Sequence, residues 1–377
     1  MFNGCSSLTS LDISNFVSQE GVKVDDIFSG LSKINLLCLN NVITTLVSKY
    51  GTLTNNPEVN GHNCLISHVK IYPTSVSEWN YFNYSKLEPE MELIAIDDKN
   101  QVQKLNDGYY TFQGQQYFTL FFTQKPTSLK QFFSEIDCIK KLEFNLNGSN
   151  LNSLYGTFYN SENIKEIDFG VIDTTKVENF GYTFCDCHAL TSIDLSYITI
   201  SHVSDMSEMF SGCRELLSLD LSKFDTSSVT KMNSMFNGCA KVQNINLGNN
   251  FHTSNVVNME KMFSGCSTLS SISISLFDTK KVTTMSQMFK GSGLTKIDLS
   301  NFENNAVTDL SEMFSSCSSL NSLILPDKFT SNLVTNMKEL FNGCNKLENI
   351  DLSKFVTSSV TDMSGMFSGC SKLTNIN

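Results

Sequence analysis

Proline and histidine are scarce in this 377-residue chain, five of each, and tryptophan occurs once. So few histidines, with no Gly-rich phosphate loop and no G-x-S-x-G elbow, leave no constellation for acid–base or nucleophilic catalysis, and the chain reads as a non-enzyme with no cofactor. Basic residues are outnumbered by acidic ones, 27 to 38, for a net charge of −11. That balance disfavours nucleic acid, whose phosphates demand basic patches. No apolar run reaches the roughly 18 residues of a membrane-spanning helix, and no basic start followed by an apolar block opens the chain. As read, the sequence carries neither a transmembrane span nor an export signal.

What is abundant is a period. Taking the Phe of a recurring Met-Phe pair as marker, Phe158, Phe184, Phe210, Phe236, Phe263, Phe289, Phe314, Phe341 and Phe367 follow one another at 25 to 27 residues. Apolar slots return around each marker, as in Val229, Met232, Met235, Phe236, Cys239, Val242, Ile245, Leu247 and Phe251. A single coil of that length has no second layer to bury them, so neighbours must stack into a solenoid. The L-x-x-L-x-L segments (Leu190, Ile193, Leu195; Leu294, Ile297, Leu299) have the period-2 ending of short strands in a parallel sheet. The V-x-x-M-x-x-M-F segments (Val203, Met206, Met209, Phe210) have spacing three, which predicts a turn of 3₁₀ or α-helix on the opposite face, capped by Ser204, Thr230, Thr308, Thr335 and Thr361.

The combination of F-x-G-C, L-x-x-L-D-L-S-x-F and V-T-x-M-x-x-M-F closely resembles the BspA-like leucine-rich-repeat surface proteins of bacteria and protists. The resemblance covers about residues 129–377 and the first 40. It implies a cell-surface or secreted protein that adheres to a protein or glycan on another cell or matrix.

Residues 1–42 read as a partial repeat array, with Phe2, Cys5, Leu8, Leu11, Ile13 and Phe28 in standard slots. The repeat vanishes over 43–127, where Trp79 and three of the five prolines lie, and strands are expected at 64–71, 91–96, 109–112 and 117–123, with Gly114 in a hairpin turn. This region is read as a small antiparallel β-rich module. The solenoid proper is assigned to 128–377. Both termini fall inside a coil, which predicts either a piece of a longer protein or chains stacking head to tail into a filament or surface layer. An intracellular interaction scaffold is the third reading, resting on the thiol-like cysteines.

Periodicity absorbs most residues that invite chemistry. Eight of the twelve cysteines (Cys5, Cys187, Cys213, Cys239, Cys266, Cys317, Cys344, Cys370) stand three residues after a marker Phe, and Leu31 and Ser292 replace them elsewhere. A buried, reduced ladder accounts for them better than disulfides or metal. Cys185-Asp186-Cys187-His188, with His202, lacks the second ligand pair of a structural zinc site, and Cys185 and His188 fall at variable slots expected to be exposed. Thr226, Thr253, Thr279 and Thr357 are read as a broken row of exposed hydroxyls. The expected binding surface is the outward strand face carrying Asp168, Asp194, Asp220, Asn246, Asp298 and Asp351; its interrupted carboxylate row and absent Gly-rich calcium repeat favour a solvated docking face over a Ca²⁺ site, so no metal is assigned.

Overall fold

The computed structural model describes residues 67–74, 98, 115–122, 125–146, 149–303, 305–326 and 332–376, together with the strands at 10–12, 35–37, 80–83, 93–97, 102–103 and 109–112. The chain divides into two compact units, one of Met1–Thr127, Cys138–Asn150 and Asp168–Asp173, the other of Ser128–Asp137, Leu151–Ile167 and Thr174–Asn377. No helix occurs among the described residues.

The first unit is antiparallel at its centre. Short strands β1 (Ser10–Asp12) and β2 (Asn35–Leu37) pair in parallel, Ser10 opposite Asn35, as successive coils would. The strands β3 (His68–Pro73), β4 (Asn80–Asn83), β5 (Leu93–Asp97), β6 (Val102–Gln103), β7 (Tyr109–Phe112), β8 (Phe118–Phe122), β9 (Ile139–Leu146) and β10 (Glu166–Ile172) follow. Six of them form one sheet in the order β10-β9-β3-β8-β5-β6. Alternation drives the pairing of β3 with β9: Val69 faces Phe144 and Ile71 faces Leu142, and all four are buried. Strands at 68–73, 93–97, 109–112 and 118–122 lie where β-branched and aromatic content places them. The hairpin expected at Gly114 does not form, because β7 pairs with β4 while β8 pairs with β3 and β5; Gly114 itself lies outside the described residues.

The second unit is a leucine-rich-repeat-like solenoid. Each full coil contributes at most three residues of strand: β11 (Ser218–Asp220) pairs in parallel with β12 (Asn244–Asn246), β13 (Lys296–Asp298) with β14 (Ser322–Ile324), and β15 (Asn349–Ile350) with β16 (Asn375–Ile376). The middle residues of β11, β12 and β13, Leu219, Ile245 and Ile297, are buried between exposed neighbours.

On the opposite face the structure departs from the expected helical turns. A parallel bridge runs through Ser128, Ser153, Asn179, Asp205, Lys231, Asn258, Thr284, Asp309, Asn336 and Asp362. Beyond it, alternate N–H groups serve two ladders. Met206, Glu208, Phe210 and Gly212 donate to Lys231, Asn233, Met235 and Asn237 of the next coil, while Met209, Ser211 and Cys213 donate back three residues within their own coil. The within-coil bonds give the spacing-three periodicity that mimics a helix. What breaks the helix is backbone handedness: two residues before and two after each marker, φ is positive, as at Glu208 (54°) and Gly212 (74°), Ser234 (55°) and Gly238 (73°), and Lys261 (55°) and Gly265 (70°). Left-handed residues cannot propagate a right-handed helix, and they turn every second peptide toward the neighbouring coil.

The expected caps are displaced by one residue. Thr230, Thr308, Thr335 and Thr361 donate their hydroxyls to the preceding coil (Thr230 Oγ1 to Ser204 O, 3.1 Å). The next position does the capping, with Asp205, Asp309 and Asp362 Oδ1 accepting the N–H two residues on at 2.8–3.0 Å.

Inside, the marker rings stack along the axis. Phe133, Phe158, Phe184, Phe210, Phe236, Phe263, Phe289, Phe314, Phe341 and Phe367 pile with centroids 5.2 to 6.1 Å apart. Beside them each described ladder thiol donates to the marker carbonyl of the coil before, as Cys239 Sγ does to Phe210 O at 3.1 Å. Phe210 O also accepts the Cys213 N–H at 3.2 Å, so both lone pairs of that buried carbonyl are used. Ser161 plays the same part toward Phe133 O at 2.6 Å, so the bond does not depend on sulfur.

Candidate binding face of the solenoid

The outward residues of the strand face are held by local turn chemistry. Asp194, Asp220, Asp298 and Asp351 are exposed, and each uses Oδ1 to accept the N–H of the serine two residues later, Ser196, Ser222, Ser300 or Ser353, at 2.9 Å. These are Asx turns that end the short strand. Hydrogen bonds from the hydroxyl and the N–H of these serines, the hydroxyl foremost at Asp220 and Asp298 and the N–H at Asp194 and Asp351, hold all four carboxyls below the usual aspartate range.

The six outward residues do not converge on one point. Asp220 and Asn246 stand in register on β11 and β12, with Asn246 Nδ2 donating to Asp220 Oδ1 at 3.0 Å. Asp194 borders a small crevice of about 80 Å³ that Asp220 and Ser222 also line. Asp298 faces Ile324, half-exposed, in the register of β13 and β14. Asp351 follows β15 as an isolated station. Asp168 lies on β10 in the first compact unit, where its Oδ1 accepts the Gly170 N–H at 2.8 Å.

A cleft beside Asn246 was not foreseen from the outward row. It has a volume of about 580 Å³ and lies between β12 and the following coil, lined by Asn244, Asn246, Asn249, Ser271, Ser273 and Leu276 among others. Residues 271–275 form no strand, so the sheet opens there. One inserted residue lies beside the opening. Leu221 and Phe224 are three apart in the preceding coil, whereas Leu247 and Phe251 are four apart, which lengthens the Phe236–Phe263 interval to 27. The extra turn is seated by Gly248 at φ 69°, whose position would place a Cβ 2.5 Å from Ser222 Cα. The same four-residue gap separates Leu325 and Phe329, and the Phe314–Phe341 interval is also 27, so the spacing alone does not mark the cleft.

Two other expectations are corrected. Thr226, Thr253 and Thr279 are not an exposed row: they are 0–1 % exposed. Thr279 Oγ1 donates to Glu303 O at 2.9 Å and accepts the Glu303 N–H at 2.8 Å, and Thr253 does the same with Asp278. Cys185, expected at the surface, is also buried, its thiol raised by burial and by the neighbouring Asp186 and Glu208 charges. His188 lies between Asp186 and Glu162 at 3.3 and 3.6 Å. Among the described residues, no group of three or more His, Cys, Asp or Glu is arranged to hold a metal ion, and no helix is long and apolar enough to cross a membrane. The described cysteines are free thiols.

Comparison with known proteins bears on the repeat alone. No curated protein matches the chain. Among solved structures, a leucine rich cell surface protein from Faecalibacterium prausnitzii A2-165 is matched at 16 % identity over 64 % of this chain and 83 % of that one. The TM-score is 0.25, too low to argue from. A family described as "Mycoplasma protein of unknown function, DUF285" matches in three overlapping stretches, residues 127–249, 242–330 and 292–377, which together run the length of the solenoid. Carrying that family's repeat over two thirds of its length, the chain belongs to the DUF285 family.

Proposed function

We propose that this protein is a non-enzymatic repeat protein of the cell surface that binds a neutral glycan through the strand face of its solenoid, centred on the cleft beside Asn246. The observation that carries this reading is the cleft of about 580 Å³, framed by asparagine amides and serine hydroxyls with half-exposed Leu276 at its edge. Amides and hydroxyls both donate and accept, which suits a hydroxyl-rich ligand. The apolar edge suits the hydrogen-bearing face of a sugar ring. Surface location is supported by the resemblance of the repeat to the BspA-like surface proteins.

A glycan array probed with the purified chain tests binding, with Asn246→Ala and Ser273→Ala as variants. Retention of a neutral oligosaccharide that both variants weaken about tenfold is the expected result. Retention that neither variant alters would remove the cleft from the reading. Protease shaving of intact source cells tests the location, and protection of the protein until lysis would overturn it.

A further inference from the structure

The turn face of the solenoid is unlike itself at one end. Two residues before the marker, later coils carry Ser234, Lys261, Gln287 and Glu312, and one residue after it they carry Ser211, Asn237, Ser264 and Ser315. The same slots in two early coils hold Tyr182 and Tyr159, with Tyr155 alongside. Since serine serves the backbone equally well there, Ser234 having φ 55° and Tyr182 57°, the coil geometry does not ask for these rings.

The three tyrosines, all half-buried, form one cluster. Tyr155 and Tyr182 have ring centroids 5.4 Å apart, and Tyr159 meets Tyr182 edge-on at 6.2 Å. Carboxylates surround them. Tyr182 donates its hydroxyl to Glu208 Oε1 at 2.7 Å. Burial first, and then the charges of Cys185, Asp186, Glu135 and Glu208, raise the Tyr159 hydroxyl above its ordinary range. The cluster already accepts one cation from its own chain, with Lys130 Nζ 5.6 Å from the centroid of Tyr155, within the range of a cation–π contact.

We infer that the Tyr155–Tyr159–Tyr182 cluster, ringed by Glu208, Asp186 and Glu135, is a docking site for an arginine side chain of a basic polypeptide. A guanidinium is planar, stacks on a phenol ring and still presents N–H groups edge-on to carboxylates, and it is more weakly hydrated than an ammonium. Ring faces beside carboxylates match both properties at once. The net charge of −11 draws a basic partner toward the chain.

The test uses the full chain and the peptide acetyl-hexa-arginine amide, followed by calorimetry at low salt, with hexa-lysine and hexa-citrulline peptides for comparison. The repeat itself supplies benign variants: Tyr159→Ser and Tyr182→Ser install residues that fill those slots in other coils, and Glu208→Gln installs the residue of Gln131 and Gln287. Circular dichroism verifies that each is folded. Expected are tightest binding for arginine, a several-fold loss for lysine, no binding for citrulline, and at least a tenfold loss in each tyrosine variant, with Asp351→Asn unchanged. Equal affinity of the tyrosine variants and the parent would overturn the proposal. So would equal binding of citrulline, which would mark the site as one for neutral ligands. Because the probe and variants differ from those of the glycan test, either reading can fail alone.

Discussion

Replacing Thr279 with valine removes one oxygen from a side chain that is 0 % exposed and changes little else. Valine has nearly the same shape, so packing is retained. What is lost is a reciprocal pair, the donation to Glu303 O at 2.9 Å and the acceptance of the Glu303 N–H at 2.8 Å. At a net ~0.5–1.5 kcal/mol per hydrogen bond, Thr279→Val should destabilise by about 1–3 kcal/mol, the upper end applying if the methyl keeps water from both orphaned groups. Thr279→Ser keeps the hydroxyl and deletes one methyl, a loss of about 1 kcal/mol. Serine should therefore be the milder change, the reverse of the order that hydrophobicity alone gives. Urea midpoints followed by circular dichroism rank the three proteins, and hydrogen exchange at the Glu303 amide reads the same bond locally. A valine variant as stable as the parent, or more stable than the serine variant, would refute the inter-coil role of this hydroxyl.

The ladder thiols should resist alkylation at neutral pH, because burial raises Cys266 to about 12 and Cys317 to about 11 and so suppresses the reactive thiolate. Mass spectrometry after iodoacetamide treatment should find half-buried Cys370 labelled first and the others labelled only in denaturant; rapid labelling of Cys239 in the native protein would contradict the burial. Asp194, Asp220, Asp298 and Asp351 have folded-state pKa values below their ordinary ones. Their contribution is therefore complete above about pH 3.9 and is lost as pH falls below it, so Tm should hold from pH 7 to about 5 and drop below about 4. A Tm that rises on acidification would sink the Asx-turn assignment. Gly291→Ala, with nothing within 4 Å of the new Cβ, should lose only the ~1–2 kcal/mol of a left-handed alanine, whereas Gly248→Ala, 2.7 Å from Ser222 O, should lose more, and equal losses would argue against the seated turn at 248.

The repeat was readable because a solenoid writes its fold in one dimension. Phe210, Met206 and Cys213 recur at one spacing since each must meet its own counterpart one coil away, and that constraint leaves a visible period. Handedness left less trace. Gly212 and Gly238 hint at positive φ, but Glu208, Ser234 and Lys261 adopt it with no preference in their side chains to announce it, so spacing three looked helical. Thr253 and Thr279 were misplaced for a related reason: hydroxyls at a polar corner look solvated until the curvature of the coil places the next backbone over them. Asp194, Asp220, Asp298 and Asp351 are exposed, as alternation along a strand requires, while their turn-capping bonds to Ser196 or Ser222 depend on a backbone bend that periodicity does not encode. The opening beside Asn246 has no mark of its own in the period, since the Phe314–Phe341 interval carries the same extra residue.

The two ladders on the turn face have an evolutionary consequence. Every inter-coil bond there joins positions one period apart, as Glu208 joins Asn233 and Ser234 joins Glu260. Deleting or duplicating one whole period between equivalent points brings together donors and acceptors of the same kind, whereas a cut of a few residues fewer or more misaligns every rung at once. Recombination between repeats of the gene therefore lengthens or shortens the array in whole coils, and the protein can change its reach without passing through an unfolded intermediate form.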